Sequence, residues 1–197
     1  MPDLPPNHVL AETRELWRDW LSDNHAQGEG VWLVRYKKNS GKPYLSYEAS
    51  VQEALCFGWI DSLPRKLDET RTLLYFSPRR VGSSWSRVNK EHIEKMLAAD
   101  KMTQAGLAKI EAAKADGSWT RLDAVENLEI PDDLARAFER YGSAQNFADF
   151  PRSAKRGILE WILNAKRDST RRKRVEETAR LAAQNVRANS WPKSKKR

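Results

Sequence analysis

One cysteine and three histidines among 197 residues leave little material for metal or thiol chemistry. Cys56 has no partner for an intramolecular disulfide, which points to a reducing compartment and a cytoplasmic location. It lies in Ala54-Leu55-Cys56-Phe57 with no histidine nearby in sequence, so burial as a small hydrophobe is the expected role. His8, His25 and His92 are scattered and form no His-x-x-x-His pair, so no metal site is expected. No apolar run approaches the roughly 18 residues of a membrane span, and Met1–Pro6 lacks the basic flank and apolar stretch of a signal peptide. Phosphate-loop and Gly-x-Ser-x-Gly patterns are absent. Gly28-Glu29-Gly30 precedes a strand rather than joining strand to helix, and no cofactor is expected.

What is present describes a packed protein. Hydrophobic residues make up 40% of the chain and charged residues 31%, and there are eight tryptophans. The net charge of +8 is unevenly placed: residues 1–150 hold 20 Lys and Arg against 23 Asp and Glu, whereas 151–197 hold 15 against 4. Such a basic third suits nucleic acid, an acidic protein or anionic lipid, or is a solvated face.

Hydrophobic periodicity predicts an opening helix over 12–24 and a strand over 31–37. A second helix over 47–57, with Ser46 as N-cap, is stopped by Gly58. Two apolar-rich segments, 59–66 and 71–77, flank a polar stretch and predict a β-hairpin. Helices follow near 88–99 and 104–115, then 131–141, 144–150, 152–166 and 169–187. In the last of these Val175, Ala179, Ala182 and Val186 form one apolar stripe. The expected fold is α+β: a small antiparallel sheet covered by helices in a lobe over 1–130, an α-helical lobe over 131–190, and a disordered basic tail over 191–197.

Chemistry-bearing residues gather in the middle of the chain. Arg79 and Arg80 stand just before a helix start at Ser86–Asn89, where guanidinium forks and free backbone N–H groups favour an anion. Trp59 and Trp85 can wall that site or stack on a planar ligand, and Asp61 can orient an arginine or act as a base. The same residues have a structural reading: the tryptophans as core anchors, Asp61 in a salt bridge to Arg79 or Arg80, Ser86 and Asn89 as a helix cap. Arg171, Arg172, Lys173 and Arg174 surround the polar arc of the last helix and suit weak, non-specific contact with nucleic acid or an acidic partner.

Phe57-Gly58-Trp59-Ile60-Asp61, Pro78-Arg79-Arg80 and the Trp85-Ser86 to Asn89 segment, followed by Met102–Gly106, Trp161-Ile162 and Thr170-Arg171-Arg172, resemble the bacteriocin-protection, YdeI/OmpD-associated family. The likeness extends over about 10–190. It implies tolerance to bacteriocins or other envelope stress and an association with an outer-membrane porin; it implies no reaction. Three functions are consistent with these residues: a cytoplasmic binding module for an anionic ligand or nucleic acid, an enzyme acting on a phosphorylated or carboxylated small molecule, and a module whose basic helical surface docks an acidic protein.

Overall fold

The computed structural model describes residues 4–190, so the expected tail over 191–197 lies outside the described residues. Two compact units divide the chain, Met1–Arg121 and Leu122–Arg197.

In the first unit a four-stranded sheet carries helices on one face. Its elements are β1 (His8–Leu10), α1 (Arg14–Asn24), β2 (Val31–Tyr36), α2 (Tyr47–Cys56), β3 (Trp59–Lys66), β4 (Arg71–Pro78), α3 (Arg87–Ala98) and α4 (Gln104–Ala115). The strand order is β1-β2-β4-β3. The expected hairpin is present as antiparallel β3 and β4, with a register shift between Asp61 and Pro64, and β4 also pairs antiparallel with β2. A parallel edge strand, β1, completes the sheet. Three residues after two prolines are too short for period-two patterning, and for that reason the sequence does not announce this strand.

Four helices start on hydroxyl caps. Thr13, Ser46, Ser86 and Thr103 each accept the backbone N–H three residues on, satisfying a donor that helix geometry leaves free. Trp17 and Leu21 of α1, Val51, Ala54 and Leu55 of α2, Ile93 of α3 and Ile110 of α4 share one core with Val31, Leu33, Trp59, Leu74 and Phe76 of the sheet. Leu10 lies in β1 and is exposed.

A carboxylate is buried within this core. Glu53 of α2 is fully buried, and Arg14 and Arg18 of α1 donate to its two oxygens, the Arg18 contact at 2.6 Å. The pair clamps α1 to α2 and supplies the partners that a buried charge requires. Cys56, at the end of α2, is also fully buried; burial pushes its thiol up to about 11, in keeping with the inert small-hydrophobe role.

The second unit is helical: α5 (Asp123–Glu126), α6 (Asp132–Tyr141), α7 (Ala144–Ala148), α8 (Arg152–Leu163) and α9 (Asp168–Ala183). Leu122 and Val125, which precede the residue 131 start expected for the helical lobe, belong to its core together with Leu134, Phe138, Phe147, Ile158, Ile162 and Val175. Val175, Ala179 and Ala182 form the buried stripe of α9, joined by Thr178. Val186 does not continue it. The helix ends at Ala183, Asn185 takes a left-handed φ of 56°, and Val186 is exposed.

Helix α4 reaches the end of α2 through a glycine. A Cβ added at Gly106 would lie 2.2 Å from the Cys56 carbonyl oxygen, which itself accepts the Thr103 hydroxyl at 2.6 Å. Gly106→Ala should therefore destabilise the first unit by about 1–3 kcal/mol despite alanine's better helix propensity. Gly157→Ala in α8, where a Cβ would meet nothing within 4 Å, should stabilise its unit by about 0.5–1 kcal/mol. Urea unfolding of the two variants tests the opposite signs; a neutral or stabilising Gly106→Ala would contradict the close approach.

Candidate functional site

Arg79 follows β4, held there by its backbone N–H, which donates to the Gly58 carbonyl at 2.9 Å. Its side chain is 4% exposed. The guanidinium lies over the Trp85 ring, 3.6 Å from its centroid, and Nη2 donates to the Ser84 carbonyl. Nε and Nη1 are buried and find no acceptor among the described residues. Among the described residues no carboxylate forms an ion pair with this group, and burial lowers its pKa to about 10, so it remains a cation at neutral pH.

A cleft of about 730 Å³ opens beside it, lined by Asn7, Gly28–Gly30, Tyr75, Ser77, Pro78, Arg79, Arg80, Val81 and Lys109. Arg80 is exposed and Lys109 half-buried. Lys109 arrives from α4, one turn after Gly106, and its stem packs on Gly58. Three cations thus line the cleft against one carboxylate, that of Glu29. Lys109 carries no local signal in the sequence; a glycine inside an otherwise helical run was the available hint that α4 approaches another backbone.

The other expected residues divide between site and scaffold. Trp85 is 2% exposed and supplies the surface under Arg79. Trp59 is a core anchor: it is 1% exposed, donates from Nε1 to the His25 carbonyl at 2.9 Å and meets Trp20 edge-on. Ser86 caps α3 by accepting the Asn89 backbone N–H at 3.3 Å, the structural role open to both residues. Asp61 makes no ion pair with Arg79 or Arg80; it accepts the Tyr47 hydroxyl at 2.7 Å. Burial, then that hydrogen bond, pushes the tyrosine up to about 12.

In the second unit, two of the four basic residues singled out on α9 are engaged within the fold. Arg171 donates to both oxygens of Asp133 on α6, at 2.7 and 3.0 Å. Arg174 donates to the Trp161 carbonyl and stacks over that ring at 4.8 Å. Arg172 and Lys173 are exposed, and with Arg136 and Arg140 they line a shallow groove of about 450 Å³. No helix among the described residues is long and apolar enough to cross a membrane.

The structure is therefore an α+β unit with a cation-lined cleft and a separate helical unit. Residues 9–109 match the family model described as Domain of unknown function (DUF8412), and residues 127–185 match the model described as Bacteriocin-protection, YdeI or OmpD-Associated. The chain belongs to the first of these families, whose model spans just over half of it, and its helical unit bears the YdeI or OmpD-associated match expected from the motifs. The Phe57–Asp61, Pro78–Arg80 and Trp85–Asn89 motifs fall under the first model, and Trp161-Ile162 and Thr170–Arg172 under the second. No curated protein and no solved structure matches the chain.

The Asp133–Arg171 pair gives the helical unit a pH response. Hydrogen bonding to Arg171 holds the Asp133 carboxyl below the ordinary aspartate range. A carboxyl depressed in the folded state contributes stability above its unfolded pKa, and that contribution is lost as pH falls through the folded value. Because both side chains are about one-third exposed, the contribution should stay under about 1 kcal/mol. The stability difference between wild type and Asp133→Asn, measured by denaturant unfolding, should be constant near neutrality and vanish in acid; a difference that persists at the lowest pH would refute the linkage.

Proposed function

We propose that the first unit is a non-enzymatic binding module for an anionic ligand, one bearing phosphate or carboxylate, acting in the cytoplasm in tolerance of bacteriocins or related stress. One observation carries the reading: a buried arginine with two unsatisfied nitrogens and, among the described residues, no carboxylate partner stands at the wall of a cleft that two further cations line. A buried charge without a counter-ion destabilises the fold that holds it. Its presence is explained if it serves a ligand. Walls of low dielectric concentrate the field of Arg79 into the cleft, and Arg80 and Lys109 offer direct donors to the anion. Binding is favoured over turnover because no histidine or cysteine lines the cleft and because Asp61 is engaged by Tyr47. The tolerance role comes from the family matched by the helical unit.

Thermal melting with and without phosphate or a phosphorylated small molecule tests this. An anion present at ten times its Kd should stabilise the native protein by about 1.4 kcal/mol, raising the melting temperature by roughly 5 °C. Arg79→Met keeps an apolar stem on Trp85 and removes the charge. It should melt at or above the wild-type temperature without anion and lose the anion-dependent increment. A large fall in the anion-free melting temperature, together with no anion effect in the wild type, would make Arg79 a purely structural residue.

A further inference from the structure

We infer that the sheet face turned away from the helices is a platform for single-stranded nucleic acid, with the Arg79 cleft receiving a phosphate at one end. The inference rests on the anion-binding reading of that cleft.

Residues directly opposite in a sheet share a face. Val31, Leu33, Leu74 and Phe76 face the helices and share their core. The register places His8, Trp32 and Tyr75, then Val34, Leu73 and Arg65, on the other face. Val34 and Leu73, on this face, are buried and belong to neither hydrophobic core. At its centre the Trp32 and Tyr75 rings lie 5.1 Å apart, both half-buried, and the Arg65 guanidinium covers the Trp32 ring at 4.8 Å. The Tyr75 ring is seated on backbone: a Cβ at Gly30 would come within 2.5 Å of it.

Cations flank these rings at both ends. Tyr75 and Ser77 continue into the cleft lined by Arg79, Arg80 and Lys109. At the opposite end Leu73 and Arg65 of this face line a second depression of about 430 Å³ together with Lys37 and with Thr72 and Lys66, which the register assigns to the other face. Lys66 is paired with Glu69, and Lys37 donates to the Asp68 and Glu69 carbonyls, an engagement that leaves its charge in place. From Leu73 to Arg79 the strand covers about 20 Å. Aromatic rings between two groups of cations complement a polymer in which planar bases alternate with phosphates, and the stacking partners must be unpaired. A duplex, whose bases are already stacked and covered, does not offer its π-faces to Trp32 and Tyr75.

The test titrates the full chain into a fluorescein-labelled ten-residue oligothymidylate and into the matched duplex, followed by anisotropy. Single strand should bind at least roughly ten times more tightly than duplex. Trp32→Ala and Tyr75→Leu should each weaken single-strand binding by roughly 5- to 150-fold, the range of one lost base stack, with circular dichroism unchanged. Should Trp32→Ala fail to fold, Tyr75→Leu and Arg65→Ala carry the test. A double variant of the helical unit, Arg172→Ala with Lys173→Ala, should leave the single-strand preference intact. Unchanged binding in the folded face variants, or equal duplex and single-strand affinity that disappears with the Arg172/Lys173 variant, overturns the inference. Phosphate stabilisation without oligonucleotide binding overturns it too and leaves the anion cleft standing; absence of both removes the cleft reading as well.

Discussion

The first unit depends on how closely α4 can approach the C-terminal turn of α2. That turn ends on the Cys56 carbonyl, which takes both the Thr103 N–H and the Thr103 hydroxyl, and the backbone of Gly106 passes too near for any side chain. One contact thereby caps two helices, satisfying a C-terminal acceptor of α2 while starting α4. Its consequence lies one turn further on. Lys109 is carried over Gly58, whose carbonyl fixes the Arg79 backbone, so the cations on α4 and after β4 meet at one cleft only because this packing is tight.

Two buried charges in the same unit are treated in opposite ways. Glu53 receives two arginines, and Arg18 gains further partners in the Lys101 carbonyl and the Phe57 ring. Arg79 receives a single carbonyl and an indole face. Asp61 is the carboxylate whose charge acts on it, yet that aspartate accepts from Tyr47 and also acts on Arg35 without pairing to either arginine. A fold able to satisfy Glu53 so fully is not short of partners for buried charge. The incomplete solvation of Arg79 is thus a local property of the cleft wall, and buried groups perturbed in this way tend to gather where ligands bind.

Most of the architecture was legible because it follows from periodicity and end signals. Ser46 and Gly58 bracket α2, and the Gln104–Ala115 helix has the bounds its pattern predicts. The failures share a cause. His8–Leu10 and Asp123–Glu126 are shorter than the period that would reveal them, and Val186 kept the stripe's spacing after Asn185 had already turned the chain. At the candidate site, Arg79, Arg80 and Trp85 were legible from residue type and order. Trp59 was not separable from them, since a tryptophan at the start of a strand reads the same whether it faces a cleft or packs on Trp20. Lys109 and Tyr75 reach the cleft only through tertiary packing, which one local window does not contain.

Charge totals would have directed attention to the other end of the chain. The basicity is concentrated there, but a cation acts on a distant ligand only to the extent that it is not already neutralised nearby. Arg171 is held by Asp133, Arg140 by Glu176, and Arg156 by both Glu126 and Glu160, so much of the excess charge serves to join α5, α6, α8 and α9. What is left at Arg172 and Lys173 is exposed, and screening at physiological salt confines its influence to about 8 Å. In the first unit the numbers of acidic and basic residues are nearly balanced, yet Arg79 is unpaired and shielded from water. Desolvation strengthens each interaction a charge makes, so one uncompensated cation in a dry wall, such as Arg79, weighs more on an approaching anion than a similar charge on a wet helix.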